Sequence, residues 1–129
     1  MMAPHETFLG KVLCGYQGWF RCPGDGVTPP DNWFHWVKRG KSGEFEPAVE
    51  MWPDMSEYGK DERFPYPGFT HKDGKQAYLF SSTHPRTVHR HFEWMRQYGI
   101  DGVLMQRFLS HTDDSGFRSY NQVLPHVGV

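Results

Sequence analysis

The chain has 129 residues, a length that suits one domain, with 37% hydrophobic and 16% aromatic residues and a formal net charge of −1. That charge balance supplies no basic patch, so nucleic acid is excluded as an expected partner. No apolar run approaches the roughly 20 residues of a membrane-spanning helix, so a membrane is excluded too. The five Trp, six Tyr and ten Phe are many for this length. Such rings fill cores and anchor loops, and their flat apolar faces also stack on pyranose rings.

Met1 to Thr7 lacks a charged stretch followed by an apolar one. It does not read as an ordinary secretory signal, and localisation stays open. Phe8 to Gly15 reads as a first strand, followed by Gly15, Gly18 and the rings of Tyr16, Trp19 and Phe20. Cys22 to Asn32 is a loop of turn formers. Trp33 to Val37 reads as either a short strand or an aromatic plug, and Lys38 to Gly43 as a charged turn. Ala48 to Met51 reads as a second buried strand, ended by Pro53, which cannot donate to a ladder. Tyr58 to Lys75 reads as a long irregular loop, of the kind that often carries function. Ala77 to Ser82 is strand-like, folded over the mouth of a barrel.

The clearest helix opens at Thr83-His84-Pro85, with Thr83 or Ser82 as its cap and Pro85 in its first turn. Val88, Phe92 and Met95 make one apolar stripe. Gly99 suits a left-handed C-terminal stop. Val103 to Met105 follows within a few residues as a buried parallel strand, the order expected of a βαβ unit. Phe108 to Phe117 reads as a polar loop, and Asn121 to Val127 as a helix start cut short by Pro125. The fold class expected is α/β: about three β/α units, the N-terminal portion of an incomplete (β/α)8 TIM barrel, since eight units need roughly 200 residues or more.

Polar and aromatic residues gather after each expected strand: Tyr16-Gln17-Gly18-Trp19, Trp52-Pro53-Asp54 and Gln106-Arg107. In a parallel barrel those strand ends share the ligand face. Asp54 is read in three ways: a catalytic acid with Glu57, a partner for sugar hydroxyls, or the cap of its own turn. Gln106 and Arg107 offer several donors to hydroxyl or carboxylate groups, or else a buried salt link to Asp54. Tyr16 and Trp19 read as stacking platforms or as core. Among eight histidines, His89 and His91 point to nearly opposite helix faces. His84 and His91 share a face without an evident third ligand, so the histidines read as solvated or capping and no metal is expected. Cys14 reads as a buried free thiol, with a disulfide to Cys22 as the other reading. No P-loop, dinucleotide glycine motif or Ser/His/Asp signature is present, so no cofactor is expected.

Several motifs together resemble one family. Val12 to Phe20 with Cys22-Pro23-Gly24-Asp25-Gly26, Trp52 to Tyr58, Leu79 to Ser82, and Tyr98 to Val103 through Gln106-Arg107-Phe108 resemble, in that order, proteins related to glycoside hydrolase families 71 and 99. Members are labelled xylosidase/arabinosidase or endo-α-mannosidase-like. The resemblance runs from about Gly10 to Val127. It implies a TIM-barrel glycosidase that hydrolyses O-glycosidic bonds of α-linked polysaccharides or glycans without a cofactor. It also implies that the catalytic carboxylates lie beyond Val129, so no catalytic residue is assigned here. Tyr16, Trp19, Asp54, Gln106 and Arg107 are carried over as substrate-binding positions for a carbohydrate. A truncated form is expected to be inactive and poorly stable, and to self-associate through its exposed sheet edge. The rival expectation is a non-catalytic carbohydrate-binding or interaction module using Trp19, Trp33, Trp36 and Trp52. A third is a small metal protein using the histidines.

Overall fold

The computed structural model describes residues 7–108, 121 and 123–127. The expected polar loop after Phe108 falls outside the described residues, whereas the expected helix start from Asn121 to Val127 lies almost wholly within them and is a 3-10 turn at Leu124–His126 that includes Pro125. Among the described residues the elements run in the order β1 (Leu13–Tyr16), β2 (Val37–Arg39), β3 (Phe45–Pro47), β4 (Phe64–Thr70), β5 (Gln76–Leu79), α1 (Pro85–Gln97) and β6 (Gly102–Met105). Single 3-10 turns lie at Lys60–Glu62 and Leu124–His126.

The strands form three two-stranded sheets: β1 with β6, β2 with β3, and β4 with β5. Only β1 and β6 run parallel; the other two pairs are antiparallel hairpins. This corrects the TIM-barrel expectation. With one α-helix and small sheets, no alternating β/α units occur among the described residues. The physical reason lies in the connections. Residues 40–44 join β2 to β3 and residues 71–75 join β4 to β5. A parallel crossover needs a dozen or more residues, so links this short can only turn the chain back. Both turns place a glycine at the same point, Gly43 (φ 90°) and Gly74 (φ 80°), where a side chain would be strained.

Three local expectations change with it. Ala48 to Met51 is not a strand: pairing ends at Pro47, and Met51 is exposed. The stretch from Tyr58 to Lys75 is not an irregular loop, because it contains β4. Its prolines occupy a bulge: Pro65 pairs with Tyr78, and regular pairing resumes only at Thr70 with Gln76. Prolines lack the N–H that a regular ladder would demand there. The Gln76 side-chain amide spans the bulge and donates to the carbonyls of Tyr66 (2.8 Å) and Phe69 (3.2 Å). β5 accordingly lies in a hairpin and covers no barrel mouth. The first strand is shorter than expected, since Phe8 to Lys11 makes a turn closed by Lys11 N–H to Phe8 C=O at 3.2 Å.

Two apolar clusters hold these pieces. The first centres on Cys22, Trp36, Tyr66 and Leu79. Trp36 is the plug: its indole N–H donates to the Phe80 carbonyl at 2.9 Å. Trp52 does the same to Tyr78 at 2.8 Å. Cys22 is buried and its thiol meets the Phe80 carbonyl at 3.2 Å, whereas Cys14 is only half-buried; both thiols are free, with no disulfide. Asp25 pins the turn-rich loop to the entry of α1. It accepts hydrogen bonds from Ser81 Oγ (2.6 Å), Thr83 Oγ1 (3.0 Å) and Thr28 Oγ1 (2.7 Å), and from the amides of Val27 and Thr28. Burial works to raise its pKa, but these donors outweigh it and hold the carboxyl below its ordinary value.

The second cluster joins Tyr16, Val88 and Val123 with Phe92, Met95, Val103 and Met105. The expected stripe of α1 is thus its buried face. β6 turns Val103 and Met105 inward but leaves Leu104 63% exposed, so this strand is covered on one face only. At the entry of α1, His84 takes the cap position without a side-chain bond, in place of Thr83 or Ser82, and Pro85 follows. Its exit is a Schellman motif: Ile100 N–H bonds Met95 C=O (2.8 Å) and Gly99 N–H bonds Arg96 C=O (3.3 Å), with Gly99 at φ 76°.

Beneath α1 lies an ion pair. Glu62 is fully buried. The Arg90 guanidinium grips it through Nη2 at 2.7 Å and Nε at 3.2 Å, and the Gly59 amide adds a third bond at 2.7 Å. Removing one partner of such a pair strands a charge in the interior. Arg90→Ala is therefore expected to lower stability by about 3 kcal/mol in urea unfolding. Gly99→Ala is expected to cost about 1 kcal/mol. A Cβ there meets nothing within 4 Å, so the cost is conformational alone.

Candidate functional site

Parallel pairing brings the residues after β1 and β6 together. Tyr16 lies opposite Met105, and Gln106 N–H continues the ladder to Tyr16 C=O at 3.1 Å. Gln17 Nε2 then donates to Gln106 Oε1 at 2.6 Å. Arg107 clasps the same corner from below, with Nη1 donating to the carbonyls of Gln106 (2.8 Å) and Gln17 (3.3 Å). Gly18 follows at φ 62°, and a Cβ on it would sit 3.1 Å from both methyls of Val123. Only glycine gives that backbone turn and that close approach. The turn aims Trp19 back across the strand ends, where its ring stacks on His35 with centroids 5.2 Å apart.

These residues border a cavity of about 250 Å³ lined in part by Tyr16, Gln17, Trp19, Phe80, His91 and Gln106. Aromatic walls with a few amide and imidazole groups are the usual make-up of a small-ligand site. A larger hollow of about 520 Å³ lies on the far side of α1, beside the start of β6, and includes His89, Glu93 and His126. It touches none of the polar strand-end residues, and the smaller cleft has the better chemistry. Among the described residues, no three His, Cys, Asp or Glu side chains converge as a metal site would require.

His91 is the inner wall of the cleft. Its Nδ1 lies 3.0 Å from the Tyr16 hydroxyl and its Nε2 2.9 Å from the Tyr58 hydroxyl. A neutral imidazole meets both needs, donating to one phenol oxygen and accepting from the other. Its ring stacks on Trp94 and meets Phe80 edge-on. Burial drives its pKa down to about 4, with Arg90 adding to the fall and Glu62 opposing it. Burial likewise pushes Tyr16 up to about 12, and burial with the nearby Glu62 raises Tyr58. The three groups form an uncharged hydrogen-bonded chain from the cleft to the Glu62–Arg90 pair, whose guanidinium lies 5.5 Å from the Tyr58 ring centroid.

Of the five expected binding residues, four meet here. Tyr16, Trp19 and Gln106 line the cleft, and Arg107 holds its backbone. Asp54 does not join them. It is exposed, accepts the Ser56 amide at 2.8 Å and caps its own turn, which holds its pKa low. No salt link joins it to Arg107 among the described residues. Trp52-Pro53-Asp54 follows a hairpin, so no parallel register carries it to the strand ends. Glu57 is also apart, accepting from the Trp94 indole at 3.1 Å. His91 was expected to be solvated or capping, and instead it is the centre of the site. Its spacing from Val88 and Met95 was the available signal, since three and four residues put it on the apolar stripe.

The low pKa of His91 has a consequence for stability. Unfolding frees the imidazole to titrate near 6.5, so the unfolded chain binds the extra proton between pH 6.5 and 4. Stability contributed by the neutral ring is complete above pH 6.5 and drains away as pH falls toward 4. A His91→Gln variant should lose this slope in denaturant titrations while keeping the carboxylate-driven loss at lower pH.

No protein-family model, curated protein or solved structure matches the chain, so the chemistry of the cleft itself carries the functional reading.

Proposed function

We propose that this chain recognises carbohydrate at the cleft beyond the paired ends of β1 and β6. The observation that carries the reading is the convergence of Tyr16, Trp19 and Gln106 on one cavity with Gln17 and His91. The Trp19 indole offers a flat apolar face to sugar C–H groups, the Tyr16 hydroxyl and His91 line the wall beside it, and the amides match vicinal hydroxyls. The ordered motifs resembling glycoside hydrolase families 71 and 99 point to the same ligand class, α-linked polysaccharides or glycans. Hydrolysis is assigned to no described residue: among the described residues the cleft lining holds no Asp or Glu, and glycosidic cleavage commonly needs two. The role proposed is binding, in a glycosidase-like context.

No described helix is long and apolar enough to cross a membrane. The test is titration of α-linked gluco-, manno- and xylo-oligosaccharides by calorimetry. Trp19→Ala is expected to weaken binding about tenfold, near 1.4 kcal/mol. Gln106→Ala is expected to weaken it roughly two- to tenfold. Asp54→Asn should change nothing. Absence of saturable binding to all three series, or an equal effect of Asp54→Asn and Trp19→Ala, would overturn the reading. Turnover of a glycoside by the purified chain would overturn the restriction to binding.

A further inference from the structure

A second concave site lies away from the cleft, on the hairpin side of the first apolar cluster. It is a hollow of about 250 Å³ lined by Asp31, Trp33, Val37, Phe45, Tyr66 and Pro67. Its walls are aromatic and set at angles. The Trp33 and Tyr66 rings are 5.1 Å apart between centroids and perpendicular, at 90°. Two rings at right angles make a corner, and Phe45, 63% exposed, stands at its open side. The polar group at the rim is a carboxylate, Asp31. It is exposed, and none of the ion pairs among the described residues uses it.

Asp31 is also held in an unfavourable conformation. A turn closed by Asn32 N–H to Pro29 C=O at 3.2 Å sets it at φ 67°. That position favours glycine, and any other residue there costs free energy. Strain of this kind persists where a side chain is needed at one point. One cation already sits against this wall, since the Arg39 guanidinium lies 5.7 Å from the Phe45 centroid. The ring faces thus carry the negative potential that attracts a cation.

We propose that Trp33, Phe45 and Tyr66, with Asp31 at the rim, form a cage for a small quaternary ammonium compound of the choline type. Aromatic faces attract a methylated ammonium through their quadrupoles without asking it to give up hydrogen bonds, and an acid supplies the counter-charge. The hollow is below the size of a drug-sized pocket, which suits a trimethylammonium head with a short tail. A ligand bearing its own carboxylate would meet repulsion from Asp31, so a hydroxylated cation fits better than a zwitterion. The site is separate from the sugar cleft, and the assignment stands or falls independently of it.

The experiment is an NMR titration of the intact chain with choline, following the Trp33 indole N–H, alongside 3,3-dimethylbutan-1-ol, the neutral isostere. Choline is expected to saturate and to bind at least roughly threefold tighter than the isostere. Asp31→Gly relieves the backbone, so it should raise or preserve the melting temperature and yet weaken choline by roughly threefold. Phe45→Ala, at an exposed position, should weaken it similarly. Arg39→Gln should tighten it by removing a competing positive charge. Equal affinity for choline and the isostere would reduce the site to an apolar dent and overturn the proposal. So would no saturable shift, or no response to Asp31→Gly. Much tighter binding of a trimethyllysine peptide than of choline would overturn the assignment to a small ligand. Loss of oligosaccharide binding in Trp19→Ala with choline binding intact would separate the two sites.

Discussion

The inner wall of the cleft is set by one helix, through two adjacent residues of opposite chemistry. Arg90 carries a permanent charge and His91 carries none. Arg90 is tied to the fully buried Glu62 through a forked pair of bonds. A buried carboxylate is tolerated only with such a partner and further donors, which the Gly59 amide helps to supply. That requirement fixes the turn Lys60–Glu62 against α1. It also sets Tyr58 where its hydroxyl meets His91. His91 in turn reaches Tyr16 at the end of β1. The position of the cleft wall is thus set from the ion pair outward.

Charge stops at the ion pair. Glu62 is held below its ordinary pKa: burial acts to raise it, but the bonds from Arg90 and Gly59 prevail. His91, one residue along, is kept neutral mainly by burial. The wall it presents is therefore polar without being ionic, rich in hydroxyl and imidazole groups that both donate and accept. Such a surface suits neutral polyhydroxylated ligands better than ions, because it offers hydrogen bonds without holding a counter-ion. The second hollow is built on the opposite principle, with few hydrogen-bonding groups, three aromatic rings and one carboxylate. The two concavities differ in chemistry because different parts of the chain form them. One arises at the ends of a parallel pair, the other between a turn and two hairpins.

The tryptophans divide along the same lines. Trp36 and Trp52 spend their indole N–H groups on carbonyls at Phe80 and Tyr78, so they anchor the loops to the β5 segment. Trp19 and Trp33 border cavities. A module that presented all four as sugar platforms would have to uncouple its first apolar cluster, in which Trp36 is a central member.

Local signals in the sequence determined α1, its proline start and its Gly99 stop, along with the apolar stripe of Val88, Phe92 and Met95 and the strand that follows. Each depends on neighbours within a turn or two of chain, so periodicity and punctuation suffice to read them. The same signals marked Tyr16, Trp19, Gln106 and Arg107 as strand-end residues. The barrel did not follow, because a helix, a glycine and a strand do not state how other strands pair. Pairing was decided by connection length and by prolines that exclude a regular ladder, as in β4. Asp54 looked equivalent to Gln106 along the chain and proved distant in role, since only parallel register gathers strand ends on one side. His91 read as a surface residue by type. Its burial between two phenols comes from Tyr16 and Tyr58, 75 and 33 residues away in sequence. The choice between a solvated imidazole and a neutral buried one was made by tertiary packing, because desolvation depends on what covers a group and not on which residues adjoin it.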